Sequence, residues 1–151
     1  FLFRGFFKKR GFYNLDNVTP AEYRKACARQ KDAGTRMWLE AATFTAKEST
    51  GQEELSADGR LQIDRQVSRV VESLPEYVVI VEGYSASGSP DQGFVIARRR
   101  ADLVRLYLEA HFHLRHSDMG IVPLLAKPPQ GSGRESWDGA AIMLLRVTAK
   151  K

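Results

Sequence analysis

Three consecutive arginines, Arg98, Arg99 and Arg100, follow closely on a turn rich in glycine and serine, Ser85 to Asp91. A guanidinium is planar and permanently charged, and its N–H fork matches both oxygens of a carboxylate. If the run before the turn is a strand of an open α/β sheet, the turn lies at its carboxyl end, where ligands of such sheets gather. An arginine there can grip an anionic group. The plainer reading is a solvated helix face, whose surface ion pairs contribute little.

His111, His113 and His116 form a second cluster, HFHLRH. A zinc site wants two histidines on one helical face with further ligands nearby. Spacings of two and three do not share a face well, and the cation of Arg115 opposes a metal ion. A helix end that favours positive charge accounts for the cluster, and no metal or other cofactor is expected. Ser85, Ser87 and Ser89 lack a histidine and an acid in a recognisable nucleophile arrangement. Gly88 and Gly93 lack the Lys-(Ser/Thr) completion of a phosphate loop. The single cysteine, Cys27, reads as a buried thiol. Catalysis is therefore not expected.

The elements that must position these residues follow from periodicity. Thr19 and Pro20 supply an N-cap and a first helical position for a short helix running to Gln30. RMWLEAATFTA, Arg36 to Ala46, is rich in strand-favouring residues, although Ala41 and Ala42 also suit a helix. Lys47 to Glu54 reads as a polar connector. After Ser56, Leu61, Ile63, Val67, Val70, Val71 and Leu74 recur at helical spacing, and Pro75 ends that helix.

Tyr77 to Ser85, YVVIVEGYS, is continuously β-branched without alternation, as in a strand buried on both faces. The second helix carries Ala97, Ala101, Val104, Leu108 and Phe112 as one apolar stripe, with Arg98, Asp102 and Arg105 spaced for ion pairs outside it. GIVPLLA, from Gly120, contains Pro123, which cannot donate a ladder hydrogen bond, so this strand belongs at an edge or is irregular. Ala140 to Val147 is again continuously apolar and belongs in the interior. KPPQGSGRESWDG between these two is a loop, with Trp137 as a core anchor at the start of the last strand. The order β-α-β-α-β-β predicts an α/β sandwich, a mixed sheet with helices packed on one face.

Of 151 residues, 43% are hydrophobic and 27% charged, the balance of an ordinary folded domain. The net charge of +5 is unevenly placed. Residues 1 to 36 hold nine Lys/Arg against three acids, and seven of the fifteen aromatic residues. Arg4, Phe6, Phe7, Lys8, Lys9 and Arg10 concentrate this pattern, which suits an anionic membrane surface or a partner, with nucleic acid as a rival. A solvated arm packing its rings on the domain explains the pattern equally well. No apolar run is long enough to span a bilayer.

From the strand at Tyr77 into the second helix, the sequence resembles the C-terminal domain of the OmpA and MotB type. That family shows a hydrophobic strand, a Gly-(Tyr/His)-Thr-Asp turn and a helix opening with Ser-x-x-Arg-Ala. Gly83 and Tyr84 match the turn, Ser85 stands for its threonine, and Arg100 and Ala101 match the end of the helix motif. The resemblance spans roughly residues 36 to 147. It implies that Tyr84, Ser85 and Arg100 line a ligand site, with Arg100 on the carboxylate of the diaminopimelate unit of peptidoglycan. The family's turn aspartate, which holds the amine, is Ala86 here. Its Asn-Arg-Arg motif before the last strand is replaced by Trp137, Asp138, Gly139 and Ala140. Both departures imply weakened or lost peptidoglycan binding.

The opening FLFRGFFKKRGFYNLD resembles the segment after the MCE domain in MlaD-related proteins of bacterial envelopes. That likeness implies a periplasmic part in phospholipid transport, attached to a membrane through sequence upstream. The expectation is thus a basic aromatic arm with a short helix at residues 1–35 and an OmpA-like domain at 36–151. It would be a non-catalytic envelope module meeting peptidoglycan or an envelope protein, with an anionic membrane surface as a further expected contact. No nucleic acid is expected as a partner. A genuine peptidoglycan anchor, or nucleic-acid binding through the arm, are the alternatives.

Overall fold

The computed structural model describes residues 19–30 and 35–146. Helix α1 spans Pro20–Gln30, and its start is a reciprocal cap: the Glu22 N–H donates to Thr19 Oγ1 at 3.1 Å, and the Thr19 N–H donates to the Glu22 carboxylate at 3.4 Å. Strands β1 (Thr35–Glu40), β2 (Phe44–Ala46) and β3 (Glu53–Leu55) follow, then α2 (Ala57–Ser68), β4 (Tyr77–Tyr84), α3 (Pro90–Phe112), β5 (Met119–Pro123) and β6 (Gly139–Arg146).

The main sheet has the order β1-β6-β4-β5, with β4 and β5 parallel and the other neighbours antiparallel. β4 lies in the interior, as its unbroken β-branched run predicts. β5, which ends at Pro123, occupies an edge. The β6 strand takes the interior place its apolar sequence requires.

Alternate residues of β4 feed two cores. Val79 and Val81 face α2 and α3, where they meet Ile63, Val67, Ala101, Val104 and Leu108. Val78, Ile80 and Tyr84 face the other way, and α1 covers them with Tyr23, Ala26 and Cys27. The two long helices thus share one face of the mixed sheet. Within the stretch expected as an arm with a short helix, Tyr23 is fully buried and Cys27 nearly so, and both pack on the sheet.

Two expected elements differ in detail. The run expected as one strand from Arg36 to Ala46 breaks after Glu40. A 3-10 turn at Ala41–Thr43 redirects the chain, and β2 leaves the main sheet to pair with β3. The break falls where β6 begins, since Glu40 pairs with Gly139 and no further partner residue precedes Gly139 in the ladder. β3 itself arises within the stretch expected as a connector. The first long helix ends at Ser68 rather than before Pro75; a 3-10 segment, Val71–Glu76, carries Leu74 into the core, while Leu61 is left 56% exposed. No helix among the described residues is long and apolar enough to cross a membrane.

Candidate ligand-binding site

The site forms where β4 ends and α3 crosses it. A Cβ on Gly83 would lie 1.8 Å from the Ala97 carbonyl oxygen, so a bare backbone is what lets the helix approach the strand this closely. The start of α3 is fixed by a capping box. The Gln92 N–H donates to the Ser89 hydroxyl, the Gln92 side chain accepts from the Ser89 N–H, and Pro90 occupies the first turn. Two turns on from Gly93, Arg100 reaches the strand end, and its Nη1 donates to the Tyr84 carbonyl oxygen at 2.7 Å.

The rest of the Arg100 guanidinium is held by acids distant in sequence. Its Nε and Nη2 donate to the two carboxylate oxygens of Glu53, each at 2.8 Å, in a bidentate fork. Its Nη1 also donates to Asp138 Oδ1 at 2.8 Å. That same oxygen accepts the N–H of Ala86 at 3.1 Å, tying the loop before β6 to the turn after β4. The Phe44 ring lies 5.3 Å from the guanidinium carbon, within cation–π range. Gly139, at φ +136, leaves room for the Leu39 carbonyl oxygen, 2.1 Å from where a Cβ would sit, and so sets the approach of Asp138.

The Arg100 side chain is 8% exposed, that of Glu53 24% and that of Asp138 45%. Burial alone would lower the Arg100 pKa, but the hydrogen bonds to Glu53 and Asp138 outweigh it and raise the value. One cation among two carboxylates leaves the cluster with a formal charge of −1.

The sequence-expected residues separate here. Arg100 is at the turn, as expected, but four of its five N–H groups donate to the chain's own acceptors. Tyr84 offers the site its carbonyl oxygen; its ring is fully buried on the opposite face, and its hydroxyl donates to Glu82 Oε1 at 2.7 Å. Ser85 is 3% exposed, its N–H donates to the Leu125 carbonyl at 2.7 Å, and its Oγ has no hydrogen-bond partner among the described residues. Arg4, Phe6, Phe7, Lys8, Lys9 and Arg10 lie outside the described residues. Of the expected outer-face ion pairs on α3, Arg105 and Asp102 meet at 2.7 Å.

The histidines are dispersed. His111 stacks on Tyr107, their ring centres 4.0 Å apart, and His116 Nδ1 lies 2.7 Å from a Glu109 oxygen. His113 terminates α3 in the left-handed region at φ 57. Among the described residues no group of three or more His, Cys, Asp or Glu is placed to hold a metal ion. Trp137 anchors the start of β6: its Nε1 donates to the carbonyls of Leu39 and Ala140 at 3.0 and 3.1 Å, and its ring meets Trp38 edge to face.

Beneath α1 lies a second polar cluster that the sequence reading misses. Glu82, fully buried, accepts from Arg36 Nε and Nη2 and from the hydroxyls of Tyr23 and Tyr84. An acid inside the apolar run YVVIVEGY was the available signal, because a buried carboxylate must be paired. Its partner could not be named from spacing. Burial foremost, and then the Glu82 charge, push the Cys27 thiol up to about 11 and both tyrosines well above their ordinary range. For Arg36, hydrogen bonds and charge from Glu82 raise the pKa against the lowering effect of burial.

No protein-family profile matches the chain, and no curated protein matches it in sequence. Among solved structures it is similar to the periplasmic domain of Helicobacter pylori MotB. For residues 78–256 of that protein the TM-score is 0.57 at 14% identity, covering 78% of this chain and 79% of the other. For residues 97–256 the TM-score is 0.55 at 14% identity, covering 78% and 86%. The OmpA-like domain of FopA1 from Francisella tularensis gives 0.48 at 17% identity, covering 78% and 86%. The two MotB comparisons show that the fold is shared with that periplasmic domain.

Proposed function

We propose that this chain is a non-catalytic binding module of the bacterial cell envelope, working in the periplasm, in which cell-wall recognition is weakened. One observation carries the reading. The arginine at the mouth of β4, which the OmpA and MotB resemblance assigns to a ligand carboxylate, spends its N–H groups on Glu53, Asp138 and the Tyr84 carbonyl. A peptidoglycan carboxylate must displace an internal ion pair before it can bind, and an exchange of one carboxylate for another yields little net affinity. The fold shared with a periplasmic domain supports the compartment.

The partner surface is the basic aromatic arm, Arg4, Phe6, Phe7, Lys8, Lys9 and Arg10, set against anionic phospholipid or an envelope protein. Its likeness to the segment following an MCE domain supports placing the module in a phospholipid-transport protein. Sedimentation of the full chain with purified peptidoglycan tests the site: the expected outcome is weak retention, little changed by Arg100→Ala. Strong retention abolished by that substitution would favour a genuine cell-wall anchor instead. Flotation with vesicles containing anionic lipid tests the arm. Binding is expected to fall with added salt and on Lys8→Glu/Lys9→Glu/Arg10→Glu substitution. Equal binding to neutral vesicles would remove the electrostatic part.

A further inference from the structure

We propose that Glu53 is an in-built occupant of a carboxylate-binding edge on Arg100, and that this edge takes an external carboxylate when Glu53 leaves it. The inference rests on the reading above and adds the residue that controls the site. The two sides of the guanidinium are held differently. Nη1 is fixed by the scaffold: it donates to the Tyr84 carbonyl at the end of an interior strand and to Asp138, which is itself bound to the Ala86 N–H. The Phe44 ring supports the group's face. The opposite edge, Nε with Nη2, is held by Glu53 alone among the described residues.

Removing the Glu53 carboxylate therefore leaves an arginine that keeps its position and presents two parallel N–H donors. That arrangement is the one a carboxylate binds in bidentate fashion. It is preorganised, so a ligand meets little ordering cost.

Glu53 is placed to leave. Its side chain is 24% exposed and, unlike Asp138, its carboxylate takes no backbone N–H among the described residues, so a change of rotamer is enough to vacate the edge. It stands on β3, which joins β2 through three register pairs, Phe44 with Leu55, Thr45 with Glu54 and Ala46 with Glu53. A ladder of this length has little stability of its own, and Phe44 and Leu55 hold it to the core, so it is the Glu53 side chain and not the strand that moves. The hairpin also contributes Phe44, so β2 and β3 together close over Arg100, one with a ring and the other with an acid. The connecting turn, Lys47 to Gln52, is exposed throughout.

The test is a titration of the full chain with sodium acetate, following the Arg100 Nε–H and the Ala86 N–H by NMR. The chain with Glu53 intact is expected to give no saturable response. Glu53→Ala is expected to saturate, at acetate concentrations at least about tenfold below any at which the parent chain responds. Glu53→Gln, which keeps the side-chain bulk and removes the charge, is expected to respond in the same direction. Adding Arg100→Lys to Glu53→Ala should abolish saturation, because an ammonium has no fork.

A folded Glu53→Ala or Glu53→Gln chain that binds acetate no better than the parent overturns the proposal. So does saturation that survives Arg100→Lys. Retention of Glu53→Ala on purified peptidoglycan separates the two claims: acetate binding without retention keeps Glu53 as the occupant and removes the cell-wall reading.

Discussion

The guanidinium of Arg36 and the carboxylate of Glu82 meet in the interior under α1, with Nε at 2.9 and 3.1 Å from the two oxygens and Nη2 at 2.8 Å from one of them. The pair joins β1 to β4 across the intervening β6, and Tyr23 ties α1 to the same carboxylate. The fit of α1 on the sheet thus depends on a charge balance as well as on apolar packing.

Breaking that balance from one side strands a buried charge. Arg36→Met is expected to cost about 3–5 kcal/mol, measured by urea denaturation. The double substitution Arg36→Met/Glu82→Leu is expected to recover much of the loss, because neither charge then remains. A cost below about 1 kcal/mol for Arg36→Met would show that this pair adds no more than an exposed ion pair does.

The same cluster makes stability fall at alkaline pH. The Cys27 thiol ordinarily ionises at 9.0, and the folded chain holds it up to about 11. A raised folded value means that its contribution is complete below about pH 9 and is lost as pH rises through about 11. The unfolded chain releases this proton first, and the difference amounts to roughly 2–3 kcal/mol at most. Tyr23 and Tyr84 shift in the same direction and extend the loss to higher pH. Urea midpoints at pH 8, 9, 10 and 11 should decline progressively above 9, and Cys27→Ala should flatten the first part of that decline. A flat profile would contradict the burial of these groups.

Gly83→Ala should be more damaging than a methyl group suggests. The added Cβ would fall 1.8 Å from the Ala97 carbonyl oxygen, which is helix backbone and cannot rotate away. The expected cost is about 3 kcal/mol or more, with a lowered thermal midpoint and, because α3 must lift, a changed Arg100 Nε–H signal. A loss of stability without movement of that signal would mean that the close crossing does not position Arg100.

The sequence by itself determined β4, α3 and β6, because unbroken β-branched runs and a helical apolar stripe are local signals; Pro123 limited β5 to an edge or an irregular strand, and the sheet order chose the edge. The sequence also determined that an arginine would stand near the end of β4, since strand, turn and helix are contiguous in the chain. It did not divide β1 from β2, because that break is set by where the partner strand β6 begins at Gly139. Nor did it give the direction of Tyr84: a strand buried on both faces shows no alternation, so the face of each residue is decided by what packs there.

Tertiary structure alone decided what Arg100 does. Glu53 lies 47 residues before it and Asp138 lies 38 after it, and no pattern within either neighbourhood announces the other. Arg36 and Glu82 are 46 residues apart and equally silent as a pair. Hydrophobic period is written along the chain. A buried charge finds its counter-charge in space, once sheet order and helix crossing have brought distant segments within hydrogen-bond reach.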